Sequence, residues 1–129
     1  MNKPVKINEV EKVIRKRLRE ELPNCKFAVR TRPNAFDNGI DIHLMRADFE
    51  AFVKPDDRVR LANVPFAWIK NYLTPEALDT FKRLINIIQD TNFGDNEFYL
   101  HLYVGKPDQP FERLETEAND SLCKENINS

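Results

Sequence analysis

Two short runs of the chain alternate in hydrophobicity with a period of two, on either side of a polar turn. In residues 26–32, KFAVRTR, the side chains of Phe27, Val29 and Thr31 fall on one side and Ala28, Arg30 and Arg32 on the other. In residues 40–46, IDIHLMR, Ile40, Ile42 and Leu44 oppose Asp41, His43 and Met45. Successive strand residues point to opposite faces, so each run reads as a half-buried strand. Between them lies PNAFDNG, where Pro33, Asn34, Asn38 and Gly39 are turn formers. The pattern predicts a β-hairpin, and its apolar face needs a cover.

The rest of the chain supplies that cover. Residues 7–22 place Ile7, Val10, Ile14, Leu18 and Leu22 at spacings of three and four, the stripe of an amphipathic helix that Pro23 and Asn24 end. A second helix opens at Thr74, Pro75 and Glu76, an N-cap, a first-turn proline and a dipole-matched acid. Leu78, Phe81, Leu84, Ile85 and Ile88 form its buried stripe, and NFGDN at 92–96 stops it. Residues 97–104, EFYLHLYV, alternate as a further strand. Residues 47–74 have no clear period: ADFEAFVK reads as a short helix, KPDDR at 54–58 as a turn or loop, and VPFAWIKNYL as an apolar patch. The order is helix, strand, strand, irregular segment, helix, strand. It predicts an α+β domain: a small, mostly antiparallel sheet with two main helices on one face. With 129 residues the chain is of single-domain size, expected to fold over 1–114 with a polar, acidic, disordered tail over 115–129.

Composition narrows the setting. No run approaches the roughly 18 to 20 apolar residues of a membrane helix. The polar start, Met1 to Lys6, lacks the apolar centre of a signal peptide, which predicts a cytoplasmic protein. Cys25 and Cys123 form no CxxC pair and read as incidental thiols. The formal net charge of −1 conceals an asymmetry. Residues 1–36 hold ten Lys and Arg against four Asp and Glu, residues 37–106 eight against eleven, and residues 107–129 two against six. A basic head and an acidic tail therefore share a neutral chain, and the tail is in a position to screen the head.

Two candidate surfaces follow. Lys12, Arg15, Lys16 and Arg19 share a helix face, and Arg30 and Arg32 follow on the first strand. These six are the candidate nucleic-acid contacts, since clustered cations follow a phosphate backbone; a solvated helix face is the plainer reading. On the sheet, His43, Tyr99, His101 and Tyr103 are expected on the outward face, where aromatic and cationic groups would suit a protein partner or stacked bases. Ordinary half-exposed sheets carry the same residue types. Trp68 is the third candidate for partner contact. An edge as apolar as 97–104 also permits a homodimer through the sheet face or edge. His43, His101 and Asp41 lack a spaced third ligand, and neither a glycine-rich phosphate loop nor a nucleophile elbow is present. No catalytic residue, metal or cofactor is therefore expected, and the chain reads as a binding protein rather than an enzyme.

The stretch VIRKRLREELPNCKFAVRTR followed by GIDIHL resembles the start of one of the large polyvalent protein-associated domains of phages and conjugative elements. In that family a basic helix of the form IRKxLKxxFP leads into a strand reading KFSVR, a glycine-bearing turn and a strand like SIDIxW. NFGDNEFYLHLYVGKPDQPF is similar to the family's aromatic final strand and VGK turn. The resemblance covers residues 11–44 and 92–111 and departs over 47–75. It implies an α+β fold and a mobile-element setting, in proteins that protect or process incoming DNA and counter host defence. It carries over no catalytic residue, and implies a non-enzymatic module that binds a protein partner.

Overall fold

The computed structural model describes residues 7–32, 39–90 and 99–114. The turn at 33–38, the helix stop at 92–96 and the tail with Cys123 lie outside the described residues. Helix α1 spans Ile7–Glu21, strand β1 Cys25–Arg32 and strand β2 Gly39–Ala47. Two single-turn helices follow, α2 (Asp57–Arg60) and α3 (Phe66–Ile69), and a 3-10 turn over Lys70–Tyr72 continues α3. Helix α4 spans Pro75–Asp90, and the short strands β3 (Tyr99–Val104) and β4 (Glu112–Arg113) complete the order.

The fold is α+β, with a small, open, four-stranded sheet. Its longest ladder is the antiparallel hairpin, with Val29 opposite Ile42 and Arg30 opposite Asp41. β2 is the central strand. On its other side β3 pairs in parallel, with Ile40, Ile42 and Leu44 beside Leu100, Leu102 and Val104. The long crossover through α4 is what permits a parallel neighbour. β4 extends that side, opposite Arg46 and Ala47. A β-bulge falls between Lys26 and Phe27, where Met45 is the extra residue of β2. It lets Leu44 and Met45 both be buried and resets the alternation, so that Arg46 is exposed and Ala47 buried.

The core sits on one face of this sheet. Val10, Ile14 and Leu18 from α1 and Leu22 just after it share one buried cluster with Val29, Ile40, Ile42 and Leu44, and with Ala77, Phe81, Leu84 and Ile87 from α4. Burying such side chains contributes about 1.5–3 kcal/mol each before conformational entropy is charged against it. Arg17 joins the helices: it donates to Glu21, to the Ile87 carbonyl and to Asp90. Thr74 caps α4 as its sequence predicts, accepting from the Ala77 amide at 3.3 Å. Its hydroxyl also donates to the Glu50 carbonyl at 2.6 Å, which fixes the start of α4 to the chain after β2.

Residues 47–74 correct the sequence reading. ADFEAFVK is not a helix: Phe52 forms a bridge with Leu73 and is fully buried. KPDDR is only in part a loop, since Asp57 and Arg58 begin α2. Arg58 pairs with Glu50 and lies over the Phe111 ring, so contacts distant in sequence hold that single turn in place.

Candidate functional site

The outward face of the sheet differs from its expectation at His43. The ring is only 9% exposed, with Nδ1 3.0 Å from the Gly105 main-chain oxygen. It stacks on Tyr103 at a centroid separation of 4.7 Å and an interplanar angle of 20°. The physical cause is the turn after β3. Gly105 takes a left-handed φ of 76° and brings its carbonyl to the ring, and Phe111 is buried nearby. His43 is thus enclosed rather than presented to a partner. Burial lowers its pKa; the Gly105 bond opposes this, Lys106 adds to it and Asp41 opposes it.

His101 stands beside Asp41 in the β2–β3 register and is partly buried. Its Nε2 has no hydrogen-bond partner among the described residues. Tyr99 lies beside Gly39, and its side chain is outside the described set, as is that of Arg32. No cluster of three or more His, Cys, Asp or Glu suited to a metal occurs among the described residues.

Trp68 lies on a different surface, made by α2, α3 and the 3-10 turn. It is 79% exposed, the most exposed of the large apolar side chains among the described residues, and Tyr72, in the 3-10 turn that continues α3, is 41% exposed. The Arg60 guanidinium lies 5.3 Å from the centre of the Tyr72 ring and pairs with Asp57 at 3.0 Å. Val53 joins this surface, since its amide donates to the Tyr72 carbonyl and its side chain is exposed. The sequence marked Tyr72 only as part of the apolar patch VPFAWIKNYL, and the period of residues 47–74 is too weak to have marked Val53 or Arg60.

The basic residues divide. Lys12, Arg15, Lys16 and Arg19 are all exposed along α1, as their spacing predicts. Arg15 and Arg19 turn toward β1, where a groove of ≈ 390 Å³ runs between helix and strand. Lys26 completes its cationic lining, and Leu18, Pro23 and Phe27 form its apolar floor. Lys26 was missed because its place beside Arg15 and Arg19 depends on how α1 packs against β1, which the sequence pattern does not state. Arg30 lies opposite Asp41 in an adjoining depression of mixed charge, which shares Arg15 and Val29 with the groove and includes Glu11, Lys106 and Asp108. Cys25 also borders the groove, yet it is buried and its thiol is pushed up to about 12, chiefly by burial.

No protein-family model matches the chain, and neither a curated protein nor a solved structure does. Among the described residues, no helix is long and apolar enough to cross a membrane.

Proposed function

We propose that the chain is a non-enzymatic interaction module that binds a protein partner through the surface around Trp68 and Tyr72. The observation that carries the reading is the 79% exposure of Trp68, four residues before Tyr72, whose ring Arg60 covers. Leaving an indole in water forgoes its burial energy, and Trp, Tyr and Arg are the residue types that dominate binding hot spots. The resemblance over residues 11–44 and 92–111 supports a phage or conjugative-plasmid setting, with countering host defence as the biological role.

Nucleic-acid binding through Lys12, Arg15, Lys16, Arg19, Arg30 and Arg32 is the weaker reading. Tyr103 is stacked on His43, Arg15 is bound to a main-chain carbonyl, and Arg30 stands opposite Asp41. A nucleic-acid platform needs free aromatic faces beside its cations.

The test compares three tagged forms in the host cell: wild type, Trp68→Ala/Tyr72→Ala, and Arg15→Glu/Arg19→Glu. A captured protein, then purified and titrated, should bind wild type and the arginine variant but lose affinity for the aromatic variant. Equal binding to the aromatic variant overturns the surface. A steeply salt-dependent shift of oligonucleotide, lost in the arginine variant, overturns the reading as a whole. A second copy of the chain is the first partner to exclude, by light scattering.

A further inference from the structure

Among the described strands β1 lies at the edge of the sheet, and the direction of its main-chain groups follows from the ladder. The Gly105 amide donates to the Leu44 carbonyl, so Leu44, and with it Ile42 and Ile40, turns its main-chain groups toward β3. The alternate residues His43 and Asp41 therefore face β1, where Ala28 and Arg30 are opposite them. Phe27, Val29 and Thr31 must then direct their amides and carbonyls away from the sheet. The Val29 carbonyl is held by Arg15 Nη2 at 2.7 Å, which fits that direction. The strand edge borders the groove lined by Arg15, Arg19 and Lys26.

We propose that this groove takes an extended, acidic peptide segment of a second partner protein, distinct from the one bound at Trp68 and Tyr72, which adds a strand to the free edge of β1. Three features support one occupant. Among the described residues, the outward main-chain groups of Phe27, Val29 and Thr31 match a strand's donors and acceptors once Arg15 releases the Val29 carbonyl. Among the described residues neither Arg19 nor Lys26 forms an ion pair, and Arg15 has only a long, partly exposed pair with Glu11 at 3.7 Å, so an acidic side chain gains there. Leu18, Pro23 and Phe27 accept the apolar side chains that alternate with the acidic ones. Arg15 acts as an exchangeable guard. In the free protein it occupies the Val29 carbonyl and discourages indiscriminate strand pairing. On binding, the incoming amide takes that carbonyl and the incoming carboxylate takes the guanidinium, so no buried group is left unpaired. Single-stranded nucleic acid fits less well, because Phe27 is half-buried against the core and offers no free stacking face. The surface contains neither Trp68 nor Tyr72, so its failure and that of the aromatic surface are separable.

The test is a selection from random peptides of eight residues, the length of β1, on the full chain. Enriched sequences should alternate apolar with Asp or Glu. The double variant Arg19→Glu/Lys26→Glu alters two exposed side chains and should weaken the enriched peptide about tenfold or more. Amide exchange should slow at Phe27, Val29 and Thr31 when the peptide is bound. Methylating alternate peptide nitrogens should abolish binding, since it removes the donors. Four results overturn the proposal: no enrichment, enrichment without acidic residues, unchanged exchange at those three amides, or tighter binding of oligothymidine than of the peptide at the same residues.

Discussion

His43 Nδ1 lies 3.0 Å from the main-chain oxygen of Gly105. A carbonyl only accepts, so Nδ1 carries the proton in this bond and the neutral ring is satisfied without a second charge. Burial holds its pKa below the ordinary 6.5. Below about 6.5 the unfolded chain binds a proton that the folded chain resists. Stability should therefore fall as pH falls through that value, until the lowered folded pKa is reached. The His43 ring protons should titrate below 6.5 by NMR, and His43→Phe should flatten the fall in urea-derived stability that begins as pH drops below about 6.5.

Gly105→Ala should be among the most damaging single substitutions. The added Cβ would stand 2.6 Å from the Phe111 nitrogen and 3.1 Å from the Pro110 carbonyl carbon, both main chain, at a φ of +76°. A loss of about 2–4 kcal/mol is expected from urea unfolding. The His43 titration should move back toward its ordinary value in whatever folded population remains.

Thr74 serves two segments with one hydroxyl, and Thr74→Val removes both roles at nearly constant volume. The α4 cap is lost and the Glu50 carbonyl loses its donor. The expected cost is about 1–3 kcal/mol by thermal or chemical unfolding. Thr74→Ser should retain most of the stability.

Cys25 should be inert in the folded protein. Burial pushes its thiol up to about 12, so almost no thiolate exists at neutral pH. In a Cys123→Ser background, a thiol reagent should label Cys25 only at the rate of opening, with full reaction in denaturant. Rapid labelling under native conditions would contradict its burial.

Trp68 is the chain's one tryptophan, so intrinsic fluorescence reports that surface alone. Emission should match tryptophan in water and be quenched by iodide almost as readily as the free amino-acid derivative. Trp68→Ala should change folding stability by less than about 0.5 kcal/mol, because the exposed ring holds little of the core together. A blue-shifted, protected emission would mean the indole is already covered.

The elements legible in the sequence were those with a sustained period or a chemical punctuation mark. α1, the hairpin, β3 and α4 fall under the first heading, and Thr74 and Pro75 under the second. Alternation tells which face of a strand is buried but not which way its neighbour runs, so the parallel β2–β3 pairing was not legible. α2 and α3 have four residues each, too few for a helical period, and α2 depends on Arg58, Glu50 and Phe111 meeting from three segments. At the candidate sites, Trp68 was legible by type. The groove was half legible: Arg15 and Arg19 follow from helical spacing, but their meeting with Lys26 depends on how α1 packs against β1, which binary patterning does not state. His43 was placed on the correct face, yet its enclosure comes from Gly105, whose left-handed turn no periodicity encodes.

The central position of β2 also sets an order of events for a chain emerging from the ribosome. The hairpin and α1 are neighbours in sequence and can associate as soon as they are made. The far edge of β2 gains its partner only after α2, α3 and α4 have been synthesised, because β3 comes after all of them. Throughout that interval Ile40, Ile42 and Leu44 lack their neighbours Leu100, Leu102 and Val104. A nascent protein stalled before β3 is thus a half-built sheet with an open apolar edge, the kind of substrate that chaperones engage.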